Sequence, residues 1–383
     1  MSTFLGIGLG PIQTGIFMAG ADKGGFSRIV MAEVNDELKN AVNNSGGHVT
    51  INIAAENHVY QETYSNVEVF NPSIKAEQEK LIEAASEADE IATALPSVEF
   101  FQVTAKWLLE GFLQNPAKHR FIYTAENDNH AAEKLEKSIA KPFADTYYLN
   151  TVINKMSKVA TAEECSRHGL EMLCPAAGRG HLVEEFNKIL ISRCDGIETR
   201  QVKNLYVKDD LYPFEEAKLY GNNAIHFLLG TFAKTAGKKF ISELRQCPEL
   251  LDKARTAFID ECGSALIKKW AGFDELFTTT KFKEYAEELL IRMTNPFLRD
   301  TVARITRDVP RKLGWEDRVI GTMRLLLSQK VQPDVIAEGA ALAAAEEFGA
   351  DKAKVISALT GLWPAPWTAE HQKVMDLILE KVK

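Results

Sequence analysis

The first thirty-three residues constrain the fold more than any other stretch. Phe4-Leu5-Gly6-Ile7-Gly8 reads as a short buried strand, and Gly8-Leu9-Gly10 follows at once. Ile12, Ile16, Phe17 and Ala19 then recur with helical spacing. Arg28-Ile29-Val30-Met31-Ala32-Glu33 is a second strand, and it ends in an acid. Strand, glycine turn, helix and strand form a βαβ unit, which commits this part of the chain to a parallel sheet. Gly8, Gly10, Pro11 and Ile12 make the turn, where backbone can approach a pyrophosphate at a helix N-terminus. Glu33 lies about 20 residues further on, where a carboxylate holds a ribose 2′-hydroxyl and repels a 2′-phosphate. The expected cofactor is therefore NAD. The third glycine position of such a loop holds Gln13.

Further strands end at places that bear on the same ligand. Glu90-Ile91-Ala92-Thr93-Ala94 and Arg120-Phe121-Ile122-Tyr123-Thr124-Ala125-Glu126-Asn127 are apolar runs closing in polar residues. In an open α/β sheet the carboxyl ends of the strands face the ligand crevice. Thr93, Ala94, Glu126 and Asn127 are thus cofactor candidates, with ordinary turn chemistry as the alternative. Amphipathic helices are expected over 75–87 and 100–112, and short β-like runs alternate with turns from 157 to 198. From about 212 the pattern becomes mostly helical, with segments at 233–245, 248–270, 281–293, 315–328, 334–348 and 365–382. The boundary is expected near 199, giving a dinucleotide-binding domain over 1–199 and a mostly helical domain over 200–383. A chain of 383 residues has ample core for two domains.

The helical half opens on Glu215-Glu216-Ala217-Lys218-Leu219-Tyr220-Gly221-Asn222-Asn223-Ala224-Ile225-His226. At 100° per residue, with Lys218 as zero, Asn222 falls near ~40°, His226 near ~80° and Asn223 near ~140°. One broad side carries a base candidate, amide donors and an imidazole. Apolar neighbours lower a lysine pKa and suit it to proton abstraction. Asparagine amides can donate to an oxygen that gains charge. Geometry mildly favours Asn222 over Asn223, and a solvated helix face is the alternative to a site.

Charge and cysteines narrow the classes. The net charge of -8 gives no electrostatic footprint for nucleic acid. No run of 18 apolar residues suggests a membrane span. The start lacks a signal peptide, and five cysteines without a CxxC fit reduced thiols, so a cytoplasmic location is expected. No HExxH-type cluster points to a metal. Against the acidic balance, Arg304 to Lys312 holds four cations in nine residues, bent at Pro310. Such a segment can gather round a phosphate or carboxylate, or it can be a solvated run paired with Asp300 and Asp308.

These residues together resemble a known family. Lys218, Asn223 and His226, in the order K-x4-N-x2-H, match the signature of the polyol-specific long-chain dehydrogenases, the mannitol dehydrogenase family. The similarity extends to the Gly8–Gly15 loop, Ala32 to Asn35, Thr93-Ala94, Glu126-Asn127, Asn150 to Ile153, Asn295 to Leu298 and Arg304 to Leu313. It implies a Rossmann-type α/β domain followed by a mostly α-helical domain, the site between them, and metal-independent hydride transfer to NAD. Carried over by position, Lys218 is the general base, Asn150 and Asn223 the oxygen pocket, and His226 a substrate ligand that supports Lys218. This implication favours Asn223. Arg304, Arg307 and Lys312 match substrate-binding positions. An arginine at 307 fits a phosphorylated substrate, where relatives acting on unphosphorylated mannitol have histidine. Thr93-Ala94-Leu95-Pro96-Ser97 and Asn154-Lys155 depart from the family pattern.

The expected reaction interconverts mannitol 1-phosphate and fructose 6-phosphate in a monomer or small homo-oligomer. The alternatives are a fructuronate or tagaturonate reductase, an unphosphorylated polyol dehydrogenase, and a nucleotide-binding regulatory protein without catalysis.

Overall fold

The structure, a computed structural model, describes residues 2–382. The chain divides into two compact units, residues 1–211 and 212–383.

The first unit is built on an eight-stranded sheet. Its strands are β1 (Thr3–Ile7), β2 (Arg28–Ala32), β5 (Val67–Phe70), β6 (Glu90–Thr93), β7 (Arg120–Thr124), β8 (Thr146–Val152), β11 (Ile189–Ser192) and β12 (Leu205–Lys208). Their order is β12-β11-β8-β7-β6-β1-β2-β5. All neighbours are parallel except β11, which runs against β8. The chain winds outward from β1 through β2 to β5, then returns to β6 and winds the other way. The switch point therefore lies between β1 and β6, where an open α/β sheet takes its ligand. A parallel sheet buries both faces, which explains the continuous apolar runs of the sequence. Successive side chains alternate between two cores. Phe4, Met31, Ala92 and Tyr123 face one core, which contains Phe17, Ile51 and Val183. Leu5, Val30, Ile91 and Ile122 face the other, with Leu81, Trp107 and Leu135 from the helices Lys75–Glu87, Phe101–Gln114 and Ala131–Ile139.

A second, four-stranded sheet covers the first of these cores. It consists of β3 (Val49–Ala54), β4 (Val59–Tyr64), β9 (Ser157–Thr161) and β10 (Arg179–Glu184), in the order β4-β3-β10-β9. Residues 157–198 thus divide between the two sheets of one unit. β12 extends the large sheet beyond residue 199, so the boundary falls after Leu211, twelve residues later than the turn signals suggested.

The second unit is helical. Its principal segments are Tyr212–Thr235, Pro248–Lys269, Thr279–Met293, Ile320–Ser328, Asp334–Phe348, Lys352–Leu362 and Ala369–Lys381. The helix expected over 233–245 ends at Thr235, and a separate 3-10 turn spans Ile241–Gln246. Two of the long segments contain a stretch wound as π-helix, Ala217–Asn223 and Ala257–Gly263. Among the described residues, no helix is long and apolar enough to cross a membrane.

Candidate active site

The glycine loop lies at the switch point. Gly8 has φ 90, a conformation that side chains resist, and a Cβ there would meet the Ala94 carbonyl at 2.9 Å. The backbone is held from both sides: the Gly8 N–H donates to the Ala32 carbonyl and the Ala94 N–H to the Ile7 carbonyl. The Glu33 carboxylate accepts from the Leu9 N–H at 3.1 Å and the Asn35 N–H at 2.8 Å. The predicted ribose-binding acid therefore braces the turn it follows. Around Gly10 the space a Cβ would take is open. The turn leads into a helix whose first N–H groups have no intrahelical acceptor. Pro11, which has no N–H to give, and Ile12 open that first turn, so the free donors begin at Ile12. Open backbone, a helix N-terminus that donates and a carboxylate at the end of the second strand that accepts are a set of groups that fits a dinucleotide.

Gln13 is fully buried and its Nε2 donates to the Ala92 carbonyl at 3.2 Å. A Cβ on Gly6 would lie 2.1 Å from that nitrogen. The room that a third loop glycine would give is thus supplied by a glycine on the strand beneath. Thr93 Oγ1 and the Leu95 N–H both donate to Glu126, each at 2.8 Å. Glu126 ties the ends of β6 and β7 together; burial pushes its pKa up, and these donors oppose the shift. Asn127 follows it in the loop. Asn150, on β8, accepts from the Ala132 N–H and donates to Glu133, each at 2.9 Å.

The second unit carries Lys218, Asn223 and His226 on one continuous helix, Tyr212–Thr235. A stretch closed by i→i+5 bonds advances only about 80° per residue. Over Ala217–Asn223 this places Asn222 and Asn223 each about 40° from Lys218, on opposite sides of it, and brings His226 to nearly the same side. Asn222 is buried and Asn223 half-buried. The geometric lean toward Asn222 assumed a uniform α-helix; on this winding the rotation favours neither asparagine. Neighbours hold the irregular turn: Thr322 donates to the Tyr220 carbonyl at 3.1 Å. On the other side of the helix, Glu216 receives Lys269 at 2.7 Å, Trp270 Nε1 at 2.9 Å and Tyr212 at 3.1 Å.

Lys218 makes no hydrogen bond or ion pair among the described residues. Burial lowers its pKa to about 8, opposed by the Glu215 charge and assisted by Arg318. His226 Nε2 lies 2.9 Å from Asp300 Oδ2, angled away from an ideal hydrogen bond. The cations of 304–312 separate into different roles. Arg304 forks onto Asp300, at 2.8 Å for each nitrogen. Arg311 pairs with Asp308 and Asp317. Lys312 is buried, with its ammonium on the carbonyls of Ile305, at 2.7 Å, and Arg307. Burial, with Arg318 and Arg311 nearby, lowers its pKa to about 8. Arg307 is exposed and makes no ion pair among the described residues. The paired-run alternative therefore describes Arg304 and Arg311, while Arg307 keeps its charge available. Sequence reading gave Asp300 no place beyond an ion-pair partner and passed over Arg318. A buried acid in a cationic stretch was the signal available for the first. Among the described residues, no three His, Cys, Asp or Glu side chains gather so as to hold a metal ion.

Residues 210–374 match the family model described as the mannitol dehydrogenase C-terminal domain. The helical unit is thus similar to the mannitol dehydrogenase C-terminal domain. The family resemblance carried by Lys218, Asn223 and His226 is borne out. Mannitol-1-phosphate 5-dehydrogenase of Streptococcus pneumoniae is 26% identical over 83% of this chain and 82% of that protein. Among solved structures, mannitol 2-dehydrogenase of Pseudomonas fluorescens, a ternary complex with NAD and D-mannitol, superposes with a TM-score of 0.70. It is 12% identical, covering 100% of this chain and 91% of that one. A D-sorbitol dehydrogenase in substrate-free form also reaches 0.70 at 13% identity, over 89% of this chain and 79% of that one. At such identities these two structures establish the fold: an α/β Rossmann-type unit followed by a mostly helical one.

Proposed function

We propose that this chain is an NAD-dependent oxidoreductase that interconverts a sugar alcohol phosphate and a ketose phosphate, with mannitol 1-phosphate and fructose 6-phosphate as the leading pair. The observation that carries the reading is Lys218. It is a half-buried residue whose pKa burial lowers to about 8, it makes no hydrogen bond or ion pair among the described residues, and it shares its helix with Asn223 and His226. Bound NAD supplies the hydride acceptor. In oxidation, neutral Lys218 takes the hydroxyl proton as hydride leaves the carbinol carbon. Asn223 donates to the oxygen as its charge grows, with Asn150 the second donor that the family resemblance implies, and each such donor is worth about 3 kcal/mol. His226 holds a neighbouring hydroxyl. In reduction, protonated Lys218 returns the proton to the new alkoxide.

The exposed Arg307 supports a phosphorylated substrate, as does the likeness to mannitol-1-phosphate 5-dehydrogenase. Arg304 and Lys312 carry less of that assignment, because Asp300 and two carbonyls already engage them. This observation favours keeping a second reading, a uronate or unphosphorylated ketose as substrate. Initial rates with NADH against fructose 6-phosphate, fructose, fructuronate and tagaturonate separate them. A rate confined to fructose 6-phosphate supports the phosphate reading. A rate on the others retains Lys218 and discards it. NADH binding without turnover on any of the four points to a non-catalytic nucleotide-binding protein.

A further inference from the structure

The helix of Lys218 and the cationic segment meet at one carboxylate. Asp300 is 5% exposed, and burying a carboxylate is costly unless it is paired. Its oxygens face His226 on one side and the Arg304 fork on the other, at 2.9, 2.8 and 2.8 Å. Its backbone carbonyl accepts from the Ile241 N–H at 3.0 Å, which fixes the residue from a third direction. Thr306 Oγ1 bonds the Val302 carbonyl, so the turn that follows is rigid as well. A carboxylate so held has one orientation to offer the imidazole.

We propose that Asp300 is a positioning residue for the reaction: its carboxylate keeps Nε2 of His226 turned toward itself, and Arg304 locks the carboxylate in that pose. The inference rests on the function proposed above. With Nε2 facing the carboxylate at 2.9 Å, Nδ1 is the nitrogen left for a substrate hydroxyl or for Lys218. The inference requires that a neutral ring carry its proton on Nε2 and accept at Nδ1. The role given to Arg304 changes accordingly. It acts through Asp300, and Arg307 remains the cation open to an anionic substrate.

The test is a double-mutant cycle between Asp300→Asn and His226→Asn, reading kcat and KM for the ketose separately under NADH saturation. The expected result is a loss of at least ten-fold in kcat for Asp300→Asn alone, shrinking below two-fold in the His226→Asn background. An equal loss in both backgrounds overturns the inference. Arg304→Gln serves if Asp300→Asn fails to fold, with a smaller loss expected that also vanishes without His226; a loss that persists there overturns it. Imidazole ¹⁵N shifts of the wild-type protein, loaded with NADH, give a readout independent of turnover. A neutral His226 ring protonated at Nε2 agrees with the inference, and one protonated at Nδ1 overturns it. Absence of turnover on every substrate would sink the proposed function while leaving the ¹⁵N result to decide on Asp300.

Discussion

Two neighbouring helices of the second unit each contain a π-helical stretch with a displaced titratable group. In Ala217–Asn223 the group is Lys218, lowered to about 8. In Ala257–Gly263 it is Glu261, raised to about 7. Burial is the largest cause in both, and it acts with opposite sign on an amine and a carboxyl. The difference is in their partners. Glu261 accepts from the Val335 and Ile336 N–H groups, at 2.7 and 3.1 Å, and so caps the Asp334–Phe348 helix. Lys218 has no such bond among the described residues. A perturbed pKa alone does not separate a structural group from a chemical one; the unspent hydrogen-bonding capacity does.

The strongest way to break this comparison is to remove the amine. Lys218→Met should cut turnover by on the order of 10²–10⁴-fold, the range for a general base. It should also stabilise the protein at pH 7 by up to about 3 kcal/mol, because a charged amine no longer has to be buried. Urea unfolding beside steady-state rates checks both, and a stability loss would contradict the pKa assignment. Next in size is the asparagine pair. Asn223→Ala should lose roughly 10²–10³-fold in kcat as an oxygen-pocket donor, whereas buried Asn222→Ala should mainly lose stability. Equal kinetic losses would mean that the difference in burial does not separate their roles.

The pH dependence is smaller and sharper. The oxidation rate should rise about ten-fold per pH unit below about 8 and then level off, as Lys218 loses its proton. A profile flat from pH 6 to 9 would remove the lysine from the chemistry. Smallest is Glu261. Its folded pKa stands above the unfolded value, so the stability it contributes is complete below about 4.5 and declines as pH rises through about 7. Glu261→Gln should flatten that decline in urea midpoints measured from pH 5 to 8, with kcat unchanged within two-fold.

Much of the first unit was legible in the chain because its signals are local. The apolar run, the glycine turn and Glu33 lie within one βαβ unit, and a parallel sheet leaves few alternatives for such a pattern. Gln13 is instructive in this respect. It departs from the glycine pattern of the loop, yet the compensating residue, Gly6, is seven positions earlier and was visible without being interpretable. The second sheet escaped reading because β3 pairs with β10 across well over a hundred residues, and no local signal reports such a partner.

The sequence by itself determined the order of the parts: a dinucleotide-type βαβ start, a helical second half, and Lys218, Asn223 and His226 at fixed spacing. Tertiary structure alone decided what those spacings mean. Whether a helix closes i→i+4 or i→i+5 depends on what packs against it, so the angle at which the two asparagines stand to Lys218 depends on neighbours such as Thr322. Three cations of one segment look alike in sequence, but Arg304 meets Asp300, Lys312 meets backbone carbonyls, and Arg307 stays exposed. Charge is a property of the residue; its availability depends on partners that only the folded chain brings within reach.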